Sequence, residues 1–424
     1  MNTTLRIKRR SLPEWLTIFL VLFPFASATL TQLAGLPSAI DYCLDLAWVL
    51  LFTLGAVHTF RKGKLVTNAA GLWVILFVVY TLTAYLMRWQ SPLYYLWGLR
   101  NNFRFYAAFL AVAAFLRQED AEKSFRIFDC LFYWNFLITL VQYFLLDYSG
   151  DYLGGIFGVE QGCNGTTILF FCIVLTRSVV RYFEKKENFL QCGSKCICAL
   201  FVAALAELKF FYLAFVVILL LSLLFTEFTW RKLLMVLMAF AGVSVGTALL
   251  AQLFRGDSEW FTLQWMYNLV SSDRGYTSAG DLNRLTAIPM INELWLKAWG
   301  QRLFGLGLGN CDASNYAFLN TPFFRKYGDM HYTWMSYAQM YLECGYVGLA
   351  FYWGFFLLLY FKIRRFQKYG NGDMASYCRV ARILTVLCPI ISVYNGSLRM
   401  ESGYMVYFAL AVPFVYYRQR RQKK

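Results

Sequence analysis

The stretch KCICALFVAALAELKFFYLAFVVILLLSLLFT, residues 195–226, decides how the rest of the chain is threaded. It is apolar almost throughout and is interrupted near its middle by Glu207 and Lys209. Read as one tilted helix, it crosses a membrane once. Read as two short passes meeting at the charged pair, it crosses twice, and every later segment changes side. A charge at mid-bilayer costs about 2.5–3.5 kcal/mol on an insertion scale, which favours helix ends for Glu207 and Lys209.

The basic residues outside this stretch choose between the two readings. Lys and Arg cluster at Arg6–Arg10, Arg61–Lys64, Lys185–Lys186, Arg231–Lys232, Lys362–Lys368 and Arg418–Lys424. With two passes all six clusters fall on one face. With one pass the later clusters move to the opposite face from the earlier ones. Short loops rich in Lys and Arg stay cytoplasmic, so two passes are expected, and with them two cytoplasmic termini.

The same reading extends along the chain. Apolar runs lie at about 14–33, 42–60, 66–87, 102–116, 127–146, 164–182, 195–207, 209–226, 231–251, 346–362, 380–394 and 402–417. The 424 residues are 59% hydrophobic, more than a soluble domain of this length carries. Runs of about 17–25 apolar residues indicate helices rather than barrel strands. The expected fold is all-α: a polytopic bundle of about 12 transmembrane helices forming a single integral membrane domain over 1–424. One large extracytoplasmic loop, 252–345, separates spans nine and ten. The Lys and Arg behind the net charge of +16 cluster in short stretches between apolar runs, the orientation signal of a membrane protein, which argues against nucleic acid as a partner. The opening Arg6-Ile7-Lys8-Arg9-Arg10, apolar run and Ala26-Ser27-Ala28 resemble a signal peptide. The run continues through Leu33, however, and reads as an uncleaved first helix.

The outward-facing polar residues carry whatever chemistry the chain performs. Arg100 and Arg104, four apart and so on one helix face, flank Asn101-Asn102-Phe103 at the outer end of a span. Lys209 sits at another outer end, and Arg284 lies in the large loop. Such cations either snorkel to lipid phosphates or form a site for a phosphorylated lipid, whose oxygens match the Arg fork. His331, one of two histidines, precedes the return into the membrane, and histidine is the side chain best suited to moving protons near neutrality. His58 lies near a cytoplasmic span end. The run Gly305-Leu306-Gly307-Leu308-Gly309-Asn310 fits neither a dinucleotide fingerprint nor a P-loop. It is either a plain loop or a backbone cradle for an anion. Asp257 and Glu259 form a bare D-x-E pair, and the eleven cysteines show no metal-ligand spacing, so no metal and no cofactor are expected. Cys163, Cys311 and Cys344 all fall on the outer side, where a disulfide could form. The loop aromatics, among them Trp260, Trp265, Tyr267, Tyr276, Trp295, Trp299, Tyr316 and Trp334, suit the membrane interface or sugar platforms. Leu285, Ile288, Asn292, Trp295 and Trp299 repeat at helical spacing and predict an amphipathic helix over about 285–303.

The order of these features resembles a known family. Many spans, a large outer loop with an arginine in its first half, LFGLGLGN at 303–310, and HYTWMSYAQMYLECGYVGL at 331–349 are followed by a few closing spans. That order resembles the O-antigen ligase and O-antigen polymerase family of bacterial membrane proteins. GIFGVEQGCNG at 155–165 and AELKFF at 206–211 resemble relatives that polymerise capsule or exopolysaccharide.

The resemblance implies a metal-independent, inverting glycosyltransferase of the all-helical membrane type (GT-C-like) in the bacterial plasma membrane. It would take glycan from an undecaprenyl-diphosphate carrier and work beside the flippase and chain-length regulator of the same pathway. The family's loop arginine and histidine correspond to Arg284 and His331. Arg100, Arg104 and Lys209 would bind diphosphate, with Glu207, Asn164, Gly305, Gly307, Gly309 and Asn310 in support. Ligase and polymerase differ only in acceptor. The alternative of a lipid-linked-glycan flippase predicts internal pseudo-symmetry and a midplane site, whereas this chain carries one late, large outer loop.

Overall fold

The computed structural model describes residues 10–61, 69–88, 90–230, 232–234, 236–237, 239–240, 242, 244, 280–314 and 316–422, with only the backbone at 56–61. The ninth span and the residues Asp257, Glu259, Trp260, Trp265, Tyr267 and Tyr276 lie wholly or largely outside the described residues, as does the side chain of His58.

Among the described residues there are helices and turns and no strand. In chain order the main helices are α1 (Leu12–Ala28, continued by a wider turn to Leu33), α2 (Tyr42–Arg61), α3 (Ala69–Arg88), α4 (Pro92–Phe115) and α5 (Gln118–Phe144). Then come α6 (Asn164–Phe183), α7 (Phe189–Leu205) and α8 (Lys209–Phe225). Three short helices follow in the segment between α8 and the closing helices: α9 (Ala287–Leu294), α10 (Trp299–Phe304) and α11 (Pro322–Tyr327). The chain closes with α12 (Ser336–Tyr369), α13 (Asp373–Tyr394) and α14 (Gly403–Gln422). Among the described residues seven helical stretches are long and apolar enough to cross a membrane, so the chain is a helical membrane protein. They are Leu12–Leu33, Ser38–Gly55, Ala69–Arg88, Gln118–Phe144, Asn164–Phe183, Ser336–Tyr369 and Asp373–Tyr394.

The bundle is layered by burial. α6 and α13 bury most of their surface, and α6 packs against α8 and α13 while α14 packs against α4 and α13. α2 and α3 instead expose Leu46, Val49, Phe52, Leu72, Val79 and Leu86 on their outer faces. Apolar surface of this extent suits hydrocarbon rather than water.

The stretch 195–226 forms two helices. α7 and α8 are separated by Ala206-Glu207-Leu208, with Glu207 in the left-handed region at φ 52°, and both helices pack against α6. Elsewhere the helices overrun the apolar runs. α4 begins at Pro92, ten residues before the run at 102–116, with Pro in its first turn where a missing N–H costs nothing. Arg100 and Arg104 therefore lie inside the helix rather than at its outer end. α12 starts at Ser336 and bends at Gly345, where φ is 65°. The amphipathic helix expected over 285–303 is broken into α9 and α10. Trp295 leaves helical geometry at φ −128° to place its ring against Phe323, Tyr327 and Tyr332.

The glycine run is where the 280–335 segment is strapped to the bundle. Gly305, Gly307 and Gly309 all have positive φ. A Cβ on Gly98 of α4 would stand 2.6 Å from the Gly309 Cα, and one on Gly309 would stand 2.0 Å from the Tyr94 carbonyl oxygen. On the other side, the Leu306 and Gly307 amides donate to the Leu342 and Glu343 carbonyls at 2.8 Å each. Gly309→Ala is expected to destabilise the protein by about 3 kcal/mol, from left-handed strain plus overpacking. The check is the thermal unfolding midpoint in detergent, and an unchanged midpoint would mean that this strap is not closely packed.

Candidate functional site

Two stretches from opposite ends of the described 280–335 segment are stitched together. The Leu282 amide donates to the Met330 carbonyl at 3.1 Å. Beside that bond the His331 Nδ1 and Asp281 Oδ1 atoms lie 2.6 Å apart. Asp281 is fully buried, while the His331 side chain keeps 31% of its exposure. His331 sits between two 3-10 turns, Gly328–Met330 and Tyr332–Trp334, with φ 52° and ψ 31°. Its ring stacks on Trp334 at 3.9 Å between centroids.

Arg284, three residues after Asp281, reaches the C-terminal end of α13. Its Nε donates to the Tyr394 carbonyl at 2.8 Å, and its guanidinium lies 4.4 Å from the centre of the Tyr394 ring. The Tyr337 hydroxyl donates to the Arg284 carbonyl, fixing the backbone beneath it. The other face of this junction is α8: Phe210 stacks on Tyr394 at 4.4 Å. Lys209, the first residue of α8, is next to Phe210, and its Nζ is 4.0 Å from the Glu207 carboxylate. Asn395 adjoins the first turn of α6, its amide nitrogen 3.3 Å from where a Gly165 Cβ would stand. Asn164 there donates to Asp151 at 2.8 Å. Arg284, Phe210 and Gly165 thus meet at Tyr394–Asn395, and Lys209 and Asn164 are the residues next to Phe210 and Gly165 in sequence. Ser336, at the start of α12, joins them by donating its amide and hydroxyl to the Asn395 carbonyl.

Arg100 and Arg104 belong to a different cluster. Arg100 donates to Asp45 through Nε at 3.0 Å and Nη2 at 2.6 Å, and packs on Trp97. Arg104 is buried, 2.9 Å from Glu401, and donates to the Arg399 carbonyl. Arg399 in turn meets Asp312 at 3.4 Å. Asp312 also accepts from Asn101 at 2.7 Å and Gln339 at 2.8 Å, tying α4, α12 and the turn before α14 together. Each of these three arginines is matched by a carboxylate of the chain itself, so the cluster is close to neutral before any ligand arrives. Outside the helices, Glu401 is the clearest case: desolvation would raise its pKa, but the Arg104 guanidinium overrides this and holds it below the ordinary carboxylate value.

A buried carboxyl group of the chain itself sits beside the glycine run. Glu343, buried on α12, accepts from the Cys311 amide at 3.4 Å and from the Gly309 amide. Asn310 turns back on the run, donating to the Leu306 carbonyl at 2.8 Å. All eleven cysteines are free. Burial, helped by the neighbouring Asp151, pushes the Cys163 thiol up to about 12, which makes it a poor nucleophile.

Sequence reading singled out Arg284, His331, Lys209 and Asn164 but not Asp281, Tyr394, Asn395 or the acids that neutralise the α4 arginines. One signal was available: Asp281 and Arg284 share the short stretch Asp281-Leu282-Asn283-Arg284. A scan against protein-family models matches none, and a search of the curated proteins finds no match.

Proposed function

We propose that this chain is an extracytoplasmic glycosyltransferase that transfers or polymerises oligosaccharide carried on undecaprenyl diphosphate, building a bacterial surface polysaccharide. It would span the plasma membrane twelve times with both termini in the cytoplasm, an arrangement that the distribution of basic residues supports. The resemblance to the O-antigen ligase and polymerase family supports the reaction class. The observation that carries the reading is the joining of Arg284 and His331, from the two ends of the outer segment, by the Leu282–Met330 and Asp281–His331 bonds.

The chemistry follows from the leaving group. The acceptor hydroxyl oxygen attacks the anomeric carbon, and the bond to the carrier phosphate breaks with its electron pair going to the diphosphate. A direct displacement inverts the anomeric centre and needs no covalent intermediate. Negative charge grows on the diphosphate as the bond breaks, and a fixed cation there stabilises the transition state more than the ground state. Arg284 fills that role, held by Tyr394, and Lys209 is assigned a supporting one as the residue before Phe210, which stacks on the same ring. The proton leaving the acceptor passes to His331, and a base so positioned contributes about 10²–10⁴ in rate.

Arg100 and Arg104 serve this reading as structural ion pairs, since a diphosphate would have to displace Asp45 and Glu401 to reach them. Lys209→Ala is expected to weaken donor binding about tenfold with a smaller effect on turnover of bound donor, measured by titrating carrier-linked glycan. An unchanged donor affinity would remove Lys209 from the site.

The direct test uses purified full-length protein in lipid bilayers with undecaprenyl-diphosphate-linked oligosaccharide and no ion gradient. Mass analysis should find longer glycans and free carrier diphosphate. Movement of the unaltered donor between leaflets, without elongation, would instead identify a flippase.

A further inference from the structure

We propose that Asp281 is the positioning residue of His331, a role that rests on the transferase reading and adds the group that makes the histidine a directed base. The buried carboxylate holds the proton on Nδ1, so Nε2 carries the lone pair that takes the acceptor's proton.

Three features of the structure point this way. Asp281 is completely buried, and a buried carboxylate is retained only where a donor or cation meets it. The 2.6 Å contact to Nδ1 supplies one, and with Nδ1 engaged the remaining nitrogen is Nε2. His331 itself is held in the left-handed region, which costs an L-residue about 1–2 kcal/mol. Backbone strain of this kind persists only when the surroundings over-determine it, and it gathers at functional sites. Here the surroundings are the Leu282–Met330 bond, the two flanking 3-10 turns and the Trp334 ring. A histidine needed only for packing requires neither a defined tautomer nor a buried acid. A base needs both, and as its imidazole takes up the acceptor's proton the carboxylate beside it stabilises the cation that forms.

The discriminating substitution changes charge and not shape. Asp281→Asn keeps the side-chain volume and an oxygen that can accept from Nδ1–H, so a purely structural contact should survive it. The proposed role should not: turnover of carrier-linked glycan is expected to fall about a hundredfold, within the 10²–10⁴ that a general base supplies, at unchanged yield of folded protein.

A second readout does not depend on activity. The chain has two histidines, so a His58→Gln background leaves one imidazole to observe. Nitrogen NMR of isotope-labelled histidine in bilayers should find neutral His331 as the single tautomer protonated on Nδ1, and a mixture in Asp281→Asn. A wild-type imidazole protonated on Nε2, or full turnover in Asp281→Asn, would overturn the proposal. Full turnover in His331→Ala together with a single Nδ1–H tautomer would sink the transferase role of the histidine while leaving the Asp281 contact as described.

Discussion

Arg284→Ala is expected to abolish polymer formation in cells while the protein remains inserted and monodisperse in detergent. The guanidinium is held against Tyr394 by a 2.8 Å hydrogen bond and by stacking, so its charge is fixed in place before any donor binds. Removing one preorganised group of this kind costs about 2.7–4 kcal/mol of transition-state stabilisation, a loss of about 10²–10³ in rate. The fold should survive, because the contact that secures this part of the backbone is the Arg284 carbonyl with the Tyr337 hydroxyl, which alanine keeps. Arg284→Lys restores the charge but neither the planar fork nor the stacking, and should recover only part of the activity. Normal glycan chain lengths in the alanine variant would contradict the role assigned to Arg284.

Arg104→Ala is expected to fail for a different reason: the protein should not fold stably. Arg104 is 3% exposed and its partner Glu401 35% exposed. Breaking a buried pair costs about 3–5 kcal/mol, and the partial hydration of Glu401 puts the expected loss near the lower end, about 3 kcal/mol. The double replacement Arg104→Met with Glu401→Gln removes both charges and should recover most of the folded yield. If Arg104 instead held the donor diphosphate, the single variant would fold normally and lose donor affinity, and the double variant would repair nothing. Folded yield and donor affinity, measured on the same preparations, separate the two roles.

These two arginines also mark where the sequence could and could not be read. The break at Glu207 and Lys209 was legible because two charges in an apolar run have few places to go, and the structure has a left-handed residue and two helices there. Arg284 and His331 were legible as polar residue types in one long segment, but the bonds that join their stretches were not. The setting of Arg100 and Arg104 was not. The apolar run begins only after Arg100, whereas α4 starts at Pro92 and holds both arginines, which Asp45 on α2 and Glu401 before α14 neutralise. Partners so distant in sequence leave no local signal. Asp281 stayed hidden for the same reason, since it meets His331 across fifty residues. The periodicity over 285–303 was real, but Trp295 is drawn out of helical geometry by the aromatic cluster of Phe323, Tyr327 and Tyr332, a tertiary demand that spacing does not encode.

The account depends on which side of the membrane the Arg284–His331 junction faces, because carrier-linked glycan is elongated outside the cell. Lys326 is exposed on α11, a few residues before His331. Lys326→Cys, compared with the parent chain for background from the native thiols, should react with a membrane-impermeant maleimide in sealed spheroplasts. Reaction only after the spheroplasts are broken open would put the junction in the cytoplasm and contradict the account.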